Sequence, residues 1–380
     1  MMLQVAILTL LVCMVQNLRV TSFTIDAKIS RKRPSVSRKP LTRLLASQNL
    51  PCDLPLEDAS MHLLQGRRCL LVRARKIQNR NYKNAVEKDT DDGISPPPPI
   101  IILGGMAQCI ESWQHHFADF SRERDVMMYE YLGQGQLHSE DTETDVRDLL
   151  PPGCNELNFV FSHMLLLKDY YRNVGLEYQA SEFEGIVRDM FDCEQFDVIA
   201  FSLGARITLA TIARNPSLIR KAHLTGVSAE RDTMGKIIFA SWKDLLSPLT
   251  SQDDDLRAFS WSIIMATYSQ TFLAMNGPDK ISSWVDHICS NNRRSGLFAL
   301  VENTSSTNPI EFSEQIRGGR TLIQLAVGGD DIIAPIDQVR RLNTALGLNN
   351  DVIIYKGCGH AVLNEHARPW RKDALTFLNE

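Results

Sequence analysis

Asp197-Val198-Ile199-Ala200-Phe201-Ser202-Leu203-Gly204-Ala205 is the stretch whose reading decides the fold. An apolar run opens it, a serine follows, and an amphipathic pattern continues from Leu203 to Ala213. A short apolar run that passes at once into helical spacing predicts a buried strand feeding directly into a helix. A serine at such a junction sits on a sharp turn, with its hydroxyl exposed above the sheet edge. Small residues must flank the turn because strand and helix pass close together; Ala200 and Gly204 are small. The helix start lends its dipole and its free N–H groups to negative charge developing nearby.

Working outward, the same alternation recurs. Arg68 to Arg75 alternates as a strand does, and Ile77 to Gly93 is polar and charged, as a surface connection is. Pro96 to Pro99 leads stiffly into Ile100-Ile101-Ile102-Leu103, a continuous apolar run of the kind buried on both faces of a sheet. Gln108 to Arg122 has helical spacing, and Val126 to Tyr131 is strand-like and ends at Gly133-x-Gly135. Phe183 to Phe191 reads as a helix, Ala222 to Val227, Thr321 to Val327 and Val352 to Tyr355 as strands, and Ala367 to Leu378 as a closing helix. Strands alternating with helices predict an α/β fold with a mainly parallel central sheet flanked by helices.

Two stretches break the alternation. Ser139 to Gln179 is long for one connection, since loops beyond about 15 residues usually carry structure or function of their own. Ala229 to Phe312 is helical in pattern, rich in aromatics and flanked by two predicted strands, which marks it as an inserted helical cap. Trp242, Trp261 and Trp284 are its candidate substrate-binding wall.

Two later turns carry the partners a nucleophilic serine needs. Val327-Gly328-Gly329-Asp330-Asp331-Ile332-Ile333-Ala334-Pro335 places a carboxylate just past a late strand, where it can hold an imidazole in one tautomer. Gly357-Cys358-Gly359-His360 follows the last strand, and its glycines let the loop bring the imidazole over the sheet. Asp330 is the rival of Asp331, with the spacing to Pro335 favouring Asp331; Glu230 and Asp232 are weaker candidates. His115, His116 and His366 read as surface or helix-end residues, and His223 as a satisfied core histidine.

From about residue 97 onward the chain resembles the α/β-hydrolase superfamily, in its ester-hydrolase-like group. Gly104-Gly105, Ser112-Trp113, Gly133-x-Gly135, the serine turn, Asp331-x-x-x-Pro335 and Gly359-His360 occur in that family's order. Jointly these motifs are specific for the fold and poorly specific for the substrate. The resemblance implies Ser202 as nucleophile, His360 as base, Asp331 as orienting acid, and the N–H groups of Met106 and Leu203 as an oxyanion hole. It implies a carboxylic ester or thioester as the small-molecule substrate and no metal or organic cofactor. Lactone opening or C–C hydrolysis by the same triad, and a non-catalytic binding protein on the same fold, are the rival readings. The chain departs from the family's pattern with Ala200 for a glycine, Gly104-Gly105 for His-Gly, and Glu130 for an aspartate. None of these changes removes a reacting atom.

The chain is 44% hydrophobic and 23% charged, as ordinary globular proteins are. Its net charge of −4 is unevenly spread. Residues 1–50 hold eight basic side chains against one acid, Asp26, leaving 33 basic and 44 acidic residues for the rest. An acidic body argues against a nucleic-acid partner, which requires clustered Lys and Arg. The eight cysteines have no metal-ligand spacing, and a chain of this length needs no disulfide framework, so they are expected to be mostly reduced and buried. Met1 to Val15 is apolar but short of the roughly 20 residues of a bilayer span, and suits a signal peptide cleaved after Ser22. Phe23 to Gln48 is basic and rich in Ser and Thr, as transit peptides are. Together residues 1–22 and 23–50 resemble the bipartite plastid presequences of algae with secondary plastids, with plain secretion as the alternative. The expected organisation is that presequence, an N-terminal strand and charged linker over 51–96, and a hydrolase-like domain over 97–380 with its cap at 229–312. No stable membrane span is expected after processing.

Overall fold

Residues 59–64, 67–74, 97–135, 174–247 and 255–380 are described by the computed structural model. The expected presequence over 1–50, the charged stretch 77–93 and most of the 139–179 stretch lie outside the described residues.

Strands β1 (Ala59–Leu64), β2 (Arg67–Val72), β3 (Ile100–Leu103), β4 (Val126–Tyr129), β5 (Phe196–Phe201), β6 (Ile219–Thr225), β7 (Leu322–Gly328) and β8 (Ile353–Tyr355) form one sheet in the order β1-β2-β4-β3-β5-β6-β7-β8. The pairs β1/β2 and β2/β4 are antiparallel, and every other pairing is parallel. β1 carries no signal in the sequence: Ala59-Ser60-Met61-His62 mixes polar and apolar residues, and as an edge strand it pairs on one side only.

The central strands are buried on both faces, and their two-residue period divides the core. Ile100, Ile102, Val126, Met128, Ile199 and Phe201 face one apolar cluster. Ile101, Leu103, Met127, Tyr129, Val198 and Ala200 face the other. On the first face α1 (Gln114–Phe120) supplies Phe117 and Phe120, which pack with Trp113 and with Trp370 of the C-terminal helix. His116 belongs to this layer. It is fully buried beside Trp113, Phe120 and Trp370, with Nδ1 3.1 Å from an Arg371 nitrogen, so it is a core residue and not the surface residue its neighbours suggested. The other face is covered by α2 (Leu176–Met190) and α3 (Leu203–Arg214).

Helices α4 (Thr233–Leu246), α5 (Arg257–Thr267), α6 (Gln270–Ser290) and α7 (Arg294–Thr304) lie between β6 and β7. They form the inserted helical layer, followed by a 3-10 turn at Pro309–Phe312 and α8 (Ser313–Ile316). The chain closes with α9 (Ile336–Leu346), α10 (Val362–Glu365) and α11 (Ala367–Asn379). At the N-terminal end of β5, fully buried Asp197 pairs with Arg124 and with Arg220, the latter at 2.5 Å. Both guanidiniums also donate to the Leu378 carbonyl, at 2.9 and 3.0 Å, which fastens α11 to the sheet. That end of the strand is therefore structural, and its opposite end is free to carry Ser202. Among the described residues no helix is long and apolar enough to cross a membrane.

Candidate active site

Ser202 occupies the single residue between β5 and α3, at φ 52° and ψ −110°. Its N–H donates to the Thr225 carbonyl at 2.9 Å, and its carbonyl accepts from Arg206 N–H at 3.2 Å. A non-glycine residue at positive φ costs about 1–3 kcal/mol and persists only where its surroundings over-determine it. Gly204 is one reason this turn closes. A Cβ there would run into the Leu103 carbonyl and come within 2.6 Å of the Tyr131 hydroxyl, so only glycine lets α3 start this close to β3.

His360 lies on the loop after β8, fully covered, with Nε2 2.9 Å from Ser202 Oγ and Nδ1 2.7 Å from Asp331 Oδ2. Asp331 is buried, and its other oxygen accepts from the N–H groups of Ile333 and Ala334, both at 2.8 Å. Asp330 is exposed, so of the two adjacent acids it is Asp331 that meets the imidazole. Gly328 permits this meeting: a Cβ on it would collide with the backbone carbonyls of Cys358 and Gly359.

The His360 loop is held from the cap as well. Glu365 accepts from Gly359 N–H at 3.0 Å and from the Ser269 N–H and hydroxyl at 2.9 and 2.5 Å, while Ala361 N–H donates to the Thr267 carbonyl at 2.8 Å. Glu365 thus ties the imidazole loop to the start of α6, a role with no local signal in the sequence.

Met106 and Leu203 both line the cleft over Ser202. Among the described residues neither backbone N–H has an acceptor, whereas the flanking amides are engaged. Gly105 N–H donates to Gln108 Oε1 at 2.6 Å and Ala107 N–H, at φ 62°, donates to Gln134 Oε1 at 3.0 Å. Gln134 is the middle residue of Gly133-x-Gly135, and its amide also donates to the carbonyls of Gly105 and Gln108. From the cap, Asn292 donates to the Ala107 carbonyl at 3.1 Å. The loop is therefore fixed on two sides with one amide left free. Glu130, the departure from the usual aspartate, meets Arg68 and accepts from Ile110 N–H, both at 3.3 Å, and serves the fold. Cys109, Glu111 and Glu130 lie close enough to hold a metal ion, but Arg68 already bridges the two carboxylates.

An open cleft of about 430 Å³, solvent at its mouth included, lies over Ser202. Ser202, His360 and Phe201 form its floor, and the cap supplies Phe239, Trp242, Ile263 and Thr267 to its roof. Trp242 lines the cleft, its ring nitrogen 3.2 Å from Ser262 Oγ. Trp261 and Trp284 do not. They pack with Ile264, Ile281 and Val285 in a separate cluster, and Trp284 lies against Tyr268 at 5.3 Å between ring centres. Helical phase explains Trp261: Ile263 and Thr267 face the cleft, and two residues back from Ile263 is about 200° around α5. Trp284 is on α6, and the cluster it joins fills the space between α5 and α6 away from the cleft. Two further lining residues, Arg206 and Arg231, were not singled out by the sequence.

A family model described as alpha/beta hydrolase fold matches residues 98–367, and the chain belongs to that family. A pyrrolizixenacetamide deacetylase of Xenorhabdus hominickii is 28% identical over 146 residues, 38% of this chain. The match spans 52% of that relative, about half its length. Among solved structures, an alpha/beta hydrolase enzyme from a Medee basin deep-sea metagenome library superposes with a TM-score of 0.62 at 17% identity, covering 84% of this chain and 98% of that one. The enol-lactonase of Burkholderia xenovorans gives a TM-score of 0.60 at 14% identity, covering 84% of this chain and all of that one. At these identities the likeness is one of fold.

Proposed function

We propose that the protein is a serine hydrolase that cleaves a carboxylic ester or thioester through an acyl-enzyme. The observation that carries this reading is the unbroken hydrogen-bonded chain from Asp331 through His360 to Ser202. In this mechanism Ser202 Oγ attacks the substrate carbonyl while His360 Nε2 takes its proton, and Asp331 holds the imidazole tautomer and stabilises the imidazolium. The oxyanion accepts from the N–H groups of Met106 and Leu203, each worth about 3 kcal/mol of barrier. His360 then protonates the leaving alcohol or thiol, and a water deprotonated by His360 releases the acid. The test is turnover of 4-nitrophenyl esters by the wild type and by Ser202→Ala, beside melting curves. Turnover is expected to vanish with the melting temperature retained; a Ser202→Ala protein that still turns over removes Ser202 from the mechanism.

We also propose that residues 1–50 direct the protein to a plastid, on the strength of their apolar start and basic, hydroxyl-rich continuation. A fluorescent protein fused behind them is expected to enter the plastid of an alga with secondary plastids, and to stall outside when Phe23 is replaced by Ala. Secretion of the intact fusion contradicts the assignment.

A further inference from the structure

The lining of the cleft is mostly apolar, with Met106, Phe201, Leu203, Trp242 and Ile263 around the serine, yet two arginines, Arg206 and Arg231, also line it. Arg206 lies one helical turn after Ser202 on α3, and Arg231 lies just before α4, the first helix of the cap, its guanidinium 3.6 Å above the Phe239 ring. Neither has a carboxylate partner among the described residues. The acids beside Arg231 in the chain are engaged elsewhere: Glu230 pairs with Arg341, and Asp232 caps α4 by accepting from Gly235 N–H at 2.8 Å. Glu311, the acid whose charge reaches Arg206, is exposed and accepts from Asn308 N–H at 2.7 Å.

Their donors are only partly used. Arg206 Nη2 donates to the carbonyls of Thr304 and Thr307, and Arg231 Nη1 reaches the Ser305 carbonyl at 3.4 Å. Arg206 Nε and Arg231 Nη2 are screened from solvent and have no acceptor among the described residues. Two neighbouring half-buried cations without a counter-charge are costly. The cost is visible in their acidities. Burial, and then the charge of Arg231, push Arg206 well below its ordinary value, and burial pushes Arg231 down to about 10.

We propose that Arg206 and Arg231 form an anion subsite of this cleft, and that the substrate carries a carboxylate held there beside the bond to be cleaved. A carboxylate that enters between the two side chains accepts from Arg206 Nε and Arg231 Nη2, covered in the empty cleft, restores charge balance, and fits the planar donor geometry of guanidinium. The Thr304 and Thr307 carbonyls fix Arg206, and the Phe239 ring fixes Arg231, so little side-chain freedom is lost on binding. As a statement about substrate, this rests on the reading of Ser202 as nucleophile; as a statement about binding, it does not.

The experiment therefore reads both. Calorimetry on the full chain compares adipamate with hexanamide, six-carbon amides that differ only at the far end, a carboxylate against a methyl group. Turnover compares mono-4-nitrophenyl adipate with 4-nitrophenyl hexanoate. Adipamate is expected to bind at least about tenfold tighter than hexanamide in the wild type, the value of one or two charge-assisted hydrogen bonds. The preference is expected to fall within about twofold in Arg231→Gln and to return in part in Arg231→Lys. The ratio of kcat/KM for the two esters should move in parallel. Because Arg206→Gln also loosens the Thr304–Thr307 turn, Arg206→Lys, which keeps the charge without the planar fork, is measured beside it. Equal affinity for the two amides in the wild type, or a preference that survives Arg231→Gln undiminished, overturns the subsite. Hydrolysis of hexanoate without any preference for the acid leaves the serine hydrolase standing and removes the subsite. Charge-dependent amide binding with neither ester hydrolysed does the reverse.

Discussion

Ser202, His360 and Asp331 come from three chain segments, and each is held by backbone groups that leave it little freedom. The serine stands at positive φ, the imidazole loop is stitched to the cap by Glu365, and Asp331 has one oxygen committed to two N–H groups and the other to the imidazole. An amide at position 331 keeps this packing but cannot stabilise an imidazolium. Asp331→Asn is therefore expected to lower kcat by about 10⁴-fold. Asp330→Asn, whose side chain is exposed, should change it by no more than severalfold. Stopped-assay turnover of both variants checks the assignment, and a larger loss in Asp330→Asn would reverse it.

His223 shows what a single residue does to stability. It sits in β6 with no exposed surface, its ring 6.1 Å from that of Trp370, and among the described residues neither ring nitrogen has a partner. It is a core histidine, as its place in an apolar strand predicts, but an unsatisfied one. Burial pushes its pKa from 6.5 down to about 4. Between those values the unfolded chain takes up a proton that the folded chain refuses, so stability falls as pH falls through that window and is restored above it. At pH 5 the loss from this one group is about 2 kcal/mol. Buried His116 and half-buried His287 are pushed in the same direction. Denaturant melts at pH 7 and pH 5 should show the wild type losing more stability than His223→Leu, and identical losses would contradict this origin.

At the scale of elements, the strand-to-helix turn and the late loops were legible because each rests on a short local pattern. An apolar run must be a buried strand here, a serine between small residues must be at a close crossing, and Asp331 and His360 follow strands in a fixed order. The cap was legible as an insertion but not in its orientation. Trp242, Trp261 and Trp284 look alike in sequence; which one meets the cleft depends on the phase of α4, α5 and α6 against the sheet, and that is set by tertiary packing. Trp242→Ala should alter the acyl-length preference of kcat/KM, by about 0.8 kcal/mol for each CH₂ newly accommodated. Trp261→Ala and Trp284→Ala should lower the melting temperature and leave the length profile in place. A changed profile in either of these two, with none in Trp242→Ala, would refute the orientation seen here. Gln134, Glu365, Arg206 and Arg231 escaped the sequence reading for a related reason. Each acts on residues far along the chain, and a polar residue with distant partners looks like any surface residue until the fold is closed.

For the whole molecule, the sheet separates two kinds of end. The N-terminal end of β5 is locked by Asp197, Arg124 and Arg220 to the C-terminal helix, and the C-terminal ends of β5, β7 and β8 lead into the turns that bear Ser202, Asp331 and His360. The cap leaves the C-terminal end of β6 and covers that second end before the chain runs back through the Pro309–Phe312 turn and α8 to the start of β7, so it roofs the serine without interrupting the sheet. The most direct test of the central claim, that Ser202 is an activated nucleophile, is labelling of the intact protein with a fluorophosphonate, followed by mass spectrometry of its peptides. The expected result is one adduct per chain, on Ser202, strongly slowed in His360→Ala and absent in Ser202→Ala. A wild-type protein that takes up no label, or takes it up on another serine with Ser202 unmodified, contradicts the claim.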